Sequence, residues 1–148
     1  MADLRGNAYR SEELQLGSQA ANGRTVLVID DHEELRGVLG RVLERSGYRV
    51  DLAGNGKEGL DRLRHGRVDL IVLDIDMPVM NGRQFLAARA GDARLSAIPV
   101  VVYSADSQPA VLPADVSAWI WKGADVSDLL HALSAAVTST ISAVVRRN

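Results

Sequence analysis

The sequence predicts an α/β domain, a doubly wound parallel sheet with helices on both faces. Three observations carry this. From Thr25 onward, short strand-like runs alternate with segments of helical periodicity. Those runs are almost continuously apolar, as in strands covered on both faces, rather than alternating as in a sheet with one wet face. Polar residues gather where the runs end, and the carboxyl edge of a parallel sheet is where such domains place ligands. The 148 residues suffice for one domain with its own core and short extensions.

Residues 1–23 are polar and punctuated by Gly6, Gly17, Asn22 and Gly23, which reads as a flexible N-terminal extension with at most a turn of helix at Ser11–Leu16. The domain proper is expected over 24–148. Thr25–Ile29 is a buried strand of β-branched and aliphatic residues ending at Asp30-Asp31. Leu35, Val38, Leu39, Val42 and Leu43 recur at helical spacing up to Gly47. Tyr48–Ala53 alternates as a second strand, and Asn55–His65 carries Leu60 and Leu63 on one helical face. Val68–Leu73 is the strongest strand run and ends at Asp74. Met77–Gly82 is a loop with a turn signal, and Arg83–Ala90 a third helix. Ile98–Val102 is a fourth strand, with Pro99 tolerable only at its start. Ser117–Trp121 is a short fifth strand, and Asp125–Val145 a long closing helix.

Composition excludes several functions. Seventeen basic and nineteen acidic residues give a net charge of -2, which provides no global basic surface for nucleic acid. With no cysteine there are no disulfides, thiolate metal sites or cysteine nucleophiles, in keeping with a reducing compartment. The N-terminus lacks the apolar run of a signal peptide. Leu129–Val145 is 17 residues without a formal charge, but it contains His131 and five Ser or Thr and is short of the ~20 predominantly apolar residues a span requires. It reads as a helix packed on more than one side.

The chemistry lies at the strand ends. Asp30-Asp31, Asp74, Ser104 and Lys122 close strands one, three, four and five, so the topology brings them to one edge. Three carboxylates this close repel unless one is protonated or a cation joins them. Oxygen donors without His or Cys select a hard cation, most simply Mg²⁺. A carboxylate facing a Lys and a hydroxyl can attack a phosphoryl group, as aspartyl-phosphate enzymes do. Each residue also has a plainer role: Asp after a strand caps a helix, Ser104 can serve a turn, and Lys122 can be a solvated charge. His32 is expected as a first-turn surface residue. His65 and His131 are expected to be structural or solvated.

The segments Val26-Leu-Val-Ile-Asp-Asp-His32, Asp69-Leu-Ile-Val-Leu-Asp-Ile-Asp-Met-Pro-Val-Met-Asn-Gly82, Ile98-Pro-Val-Val-Val-Tyr-Ser-Ala105 and Trp119-Ile-Trp-Lys122 together resemble the receiver domain of two-component response regulators. The resemblance runs from about Arg24 to about Val145. It implies a flavodoxin-like sheet of order 2-1-3-4-5, and Asp74 as phosphoacceptor. It implies Mg²⁺ held by Asp31, Asp74 and the backbone carbonyl of Asp76, with Asp30 acting largely through water. Ser104 and Lys122 would contact the phosphoryl oxygens, and Trp119 would hold the aromatic switch position with Ser104. The implied donor is a histidine kinase or phosphotransfer protein and the implied output a downstream protein partner, with no nucleic acid, no membrane and a cytoplasmic location. The chain would be a signalling switch, not an enzyme acting on external substrates. The Asp74-Ile-Asp76 pair imitates the DxD of haloacid-dehalogenase-type phosphatases, but the order of motifs is wrong for that family. With no effector domain after residue 148, the output is expected to be protein contact or onward phosphoryl transfer. The alternative is a receiver-like interaction or dimerisation module that signals without phosphorylation.

The sequence departs from the family pattern in five places. Gly123 follows Lys122 where the family usually has a cis proline, so a trans bond is expected. Only twelve residues separate Ser104 from Ser117, and they include Pro109 and Pro113, so the helix there should be missing or about one turn. Trp119 and Trp121 share one strand face and need cover, expected from the closing helix or the 1–23 tail, or else from a protein partner. Val126, Leu130, Leu133, Val137, Ile141 and Val144 form a stripe on the closing helix, and its uncharged remaining faces suggest a second packing partner: the N-terminal segment or a second copy in a homodimer. Asp76 and Asp106 add carboxylates two residues past Asp74 and Ser104.

Overall fold

The computed structural model describes residues 20–147. Five parallel strands, β1 (Thr25–Ile29), β2 (Arg49–Ala53), β3 (Leu70–Leu73), β4 (Val100–Ser104) and β5 (Ala118–Trp121), form one sheet of order β2-β1-β3-β4-β5. The helices are α1 (Glu33–Arg45), α2 (Gly56–His65), α3 (Gly82–Ala90), the four-residue α4 (Ala93–Ser96) and α5 (Val126–Arg147). The sheet and its order are as the sequence leads one to expect.

Alternation along each strand divides the core in two. Leu27, Ile29, Ile71, Leu73, Val100, Val102 and Trp119 face α2, α3 and α4, where they meet Leu60, Leu63, Phe85, Leu86 and Leu95. Val26, Val28, Leu70, Val72, Val101 and Tyr103 face α1 and α5, where they meet Leu39, Leu43, Leu129, Leu133, Ala136 and Val137. Both faces of the central strands are therefore dry, and their apolar runs are continuous for that reason.

Helix starts follow local capping chemistry. His32, Asn55, Asn81 and Asp92 each accept a backbone N–H of their helix's first turn through the side chain. At α3, Gln84 returns the bond to Asn81 N–H, completing a capping box. His32 is thus the α1 cap, and it is exposed.

Several expectations need correction. Strand β4 runs on to Ser104 instead of stopping at Val102, because each of Val100–Ser104 is buried. The turn α4 was not foreseen; Asp92 accepts from Arg94 and Leu95 N–H and starts it. On α5 the buried stripe is Leu129, Leu133, Ala136 and Val137. Val126 and Ile141 are exposed, and Leu130 only half-buried. The helix meets the sheet on the face of Leu129 and leaves it past Val137. Val144 lies outside the described side chains. Of the N-terminal extension, residues 1–19, including the turn expected at Ser11–Leu16, lie outside the described residues. Its end is seated: Ala21 is fully buried with the α1–α5 core, and Arg24 donates to Ala20 O.

No helix forms between β4 and β5, as the two prolines require. An apolar plug takes its place: Leu112 and Val116 join Trp119, Leu95 and Leu86 in the core on that face. Trp119 is therefore covered within the core that this loop shares with α2, α3 and α4, and its indole is held by the loop at Asp106 O. The cover does not come from α5, whose buried residues belong to the core on the other face, and most of the N-terminal tail lies outside the described residues. Arg89, fully buried at the end of α3, ties the plug down by donating to Asp115 O at 3.0 Å and, more weakly, to Leu95 O at 3.5 Å. Burial pulls its pKa down while Asp115 opposes the shift. Leu95 O also accepts the Ile98 N–H at 3.2 Å, so the guanidinium matters most to Asp115 O.

Arg89→Ala is expected to lose about 3 kcal/mol in urea unfolding, from the cavity plus the lost bond to Asp115 O. Arg89→Lys should recover less than half, because a single ammonium cannot span both acceptors. A loss within error of zero for Arg89→Ala would show that the plug holds without the tie.

Candidate functional site: an acidic pocket with a lysine at the sheet edge

The carboxyl ends of the strands place the side chains. Asp30 follows β1 and its N–H donates to Ala53 O; Asp74 follows β3 and its N–H donates to Ile29 O. Carboxylate oxygens of Asp30, Asp31 and Asp74 all lie within 4.8 Å of one another. Asp30 and Asp74 are buried and Asp31 is exposed. Lys122 extends the β4–β5 ladder by one bond, its N–H donating to Ser104 O at 2.8 Å. Its Nζ lies 2.9 Å from Asp30 Oδ2 and 3.4 Å from Asp74 Oδ2. The described residues contain no cis peptide bond, so the Lys122–Gly123 bond is trans, as expected. Four of the anticipated side chains thus converge directly.

Ser104 is buried at the end of the neighbouring strand, and its Oγ accepts the Asp106 N–H at 3.1 Å. Asp106 O in turn accepts the Trp119 indole N–H at 3.1 Å. Residue 106 therefore connects the hydroxyl to the aromatic ring through its two backbone groups. Asp76 and Asp106 are exposed, and the carboxylate cluster is formed by Asp30, Asp31 and Asp74.

Local backbone fixes the phosphoacceptor candidate. Ile75 N–H donates to Asp74 Oδ1 at 2.9 Å, leaving Oδ2 toward Lys122. The following loop closes by Gly82 N–H to Ile75 O and Gly56 N–H to Met80 O. A β carbon on Gly82 would strike Asp74 O and Ile75 Cα, so only glycine lets α3 start this close to the site. Val79, at φ 70°, occupies the left-handed region although β-branched, and is exposed.

Sequence reasoning missed Arg89 and the coupling through Asp106. A charged residue at the end of a helix looks solvated from sequence, and backbone partners leave no residue-type signal.

Burial and the neighbouring Asp30 charge raise Asp74 to about 6, against the smaller opposing pull of Lys122. Burial acts to lower Lys122, but its pairing with Asp30 and Asp74 outweighs that, and its pKa is raised. The unfolded chain releases the Asp74 proton near its ordinary pKa and the folded chain only near 6. Stability in metal-free buffer therefore falls as pH rises across that window. At pH 7.5 Asp74→Asn is expected to be more stable than the parent by about 1–3 kcal/mol, the gap closing below about pH 4. A gap unchanged between pH 4 and 7.5 in thermal melts would contradict this electrostatic account.

Comparison with known proteins agrees with the geometry. Residues 26–134 match the family model of the response regulator receiver domain. The response regulator Rre1 of Synechocystis is 40% identical over 82 residues, 55% of this chain and 36% of that protein. Protein PilH of Pseudomonas aeruginosa is 35% identical over 83 residues, 56% of this chain and 69% of its own length. The sensor kinase/phosphatase CqsS of Vibrio cholerae is 31% identical over 117 residues, 76% of this chain, but the match spans only 17% of that protein. Among solved structures, chemotaxis protein CheY4 of Vibrio cholerae superposes with a TM-score of 0.69 at 27% identity, covering 77% of this chain and 98% of that one. Response regulator TrrA of Thermotoga maritima, in complex with Mg²⁺–BeF, superposes with a TM-score of 0.66 at 25% identity, covering 73% and 94%. Sheet order, acidic pocket and family match agree, and the chain belongs to the receiver domains of two-component response regulators.

Proposed function

We propose that Asp74 accepts a phosphoryl group from a histidine kinase or phosphotransfer protein and that Ser104 and Trp119 report its presence. The observation that carries this reading is the position of the Lys122 ammonium between Asp30 and Asp74. A counter-ion held against a buried nucleophilic carboxylate is what a transferring phosphoryl group requires.

The residues fit a hard divalent cation. Asp30, Asp31 and Asp74 offer oxygen donors within one cation's reach, and the Asp76 carbonyl would complete the set. Mg²⁺ bound there would offset the repulsion among the carboxylates and the charge of the incoming group. In the transfer, an Asp74 carboxylate oxygen forms the O–P bond while the donor's N–P bond breaks, its electron pair returning to the imidazole. Lys122 passes from Asp74 Oδ2 to a phosphoryl oxygen. The Ser104 hydroxyl turns to donate to another, and in turning gives up the Asp106 N–H. Because Asp106 O holds the Trp119 indole, the movement reaches the plug between β4 and β5. In the absence of the usual helix there, the output face is that loop with β5 and α5, read by a protein partner in the cytoplasm. A module that signals without phosphorylation would have no need for the buried, lysine-paired Asp74.

Incubated with a small acyl phosphate and Mg²⁺, the protein is expected to gain one phosphoryl group by intact mass. Asp74→Asn and chelator controls should gain none. Lys122→Ala should slow uptake by about a hundredfold. An adduct that persists in Asp74→Asn would remove Asp74 as acceptor.

A further inference from the structure

Trp121 has no part in the acidic pocket, yet it shapes the turn that carries Lys122. A β carbon on Gly123 would fall against Cζ2, Cζ3 and Cη2 of the Trp121 ring, so the indole folds back over the glycine backbone. Trp121 is 57% exposed, and it lies at the end of the edge strand opposite Ser104. Its own carbonyl accepts Ala124 N–H at 2.9 Å, which closes the Lys122–Gly123 turn. Ser104 O holds Lys122 from the other side through the 2.8 Å bond from its N–H. The turn has no proline to restrict it, and glycine is the least restricted residue. The ring lying over Gly123 supplies the missing restraint. The fit is also mutual, since only glycine leaves room for the ring.

We infer that Trp121 is a positioning residue for Lys122: its indole clamps the Lys122–Gly123 turn so that the ammonium reaches Asp30 and Asp74. Its effect on phosphoryl uptake rests on the phosphoacceptor reading above. Its effect on the lysine does not.

Two measurements separate the two. The first is the rate at which an amine-reactive ester labels Lys122, read by peptide mass in wild type, Trp121→Ala and Trp121→Phe. Labelling should quicken several-fold in Trp121→Ala and return toward wild type in Trp121→Phe, which keeps a ring over the glycine. The second is phosphoryl uptake from a small acyl phosphate with Mg²⁺, with Trp121→Ala made both in wild type and in Lys122→Ala. The substitution should slow uptake on the order of tenfold in wild type and have no further effect once Lys122 is gone. Unchanged labelling, or an equal loss in both backgrounds, overturns the positioning role. If not even the wild type takes up a phosphoryl group, the phosphoacceptor reading fails, and the labelling contrast alone decides whether Trp121 holds Lys122.

Discussion

Like charges forced together at the carboxyl edge of the sheet set the terms for this molecule. Strand order puts Asp30, Asp31 and Asp74 within one cation's reach, and burial keeps water from screening two of them. Lys122 offsets part of that repulsion from the next strand but one, and to do so the β4–β5 ladder must deliver it to the edge. The sheet is therefore stabilised by its core and strained at its rim. A bound cation and a phosphoryl group would act on that rim, and so bias the structure as a whole.

The rim is connected outward by backbone groups. Ser104, Asp106 and Trp119 form a chain of two hydrogen bonds from the pocket edge to the ring that the β4–β5 plug covers. Where a helix would have given that region many internal hydrogen bonds, the plug has one turn, Val116 N–H to Pro113 O, and a bond from Arg89 to Asp115 O. A segment held by one buried guanidinium, a few backbone bonds and apolar contacts has fewer interactions to rearrange than a packed helix. This makes it suited to answer a small shift at Ser104.

Much of this was legible residue by residue. The apolar runs of β1, β3 and β4 announced a sheet covered on both sides, and the acidic residues ending β1 and β3 announced the pocket. The prolines at 109 and 113 left room for about one helical turn at most before any fold was known. The cover of Trp119 was not legible, because a strand pattern tells which residues share a face but not which segment lies on it. The α5 stripe was misjudged for a related reason. Its apolar positions continue past the point where the sheet ends, so periodicity alone could not separate Leu129 and Leu133, which pack, from Val126 and Ile141, which do not.

By itself the sequence determined the class of fold and the order of the chemical residues along it, since these follow from local pattern and residue type. Only the tertiary structure decided which distant groups meet: the lysine between two aspartates, the arginine under the plug, the indole over Gly123. Each of these joins elements that are remote in sequence or turns on a side-chain direction. Close packing settles such contacts because every other arrangement would leave a charge, a carbonyl or a ring without its partner.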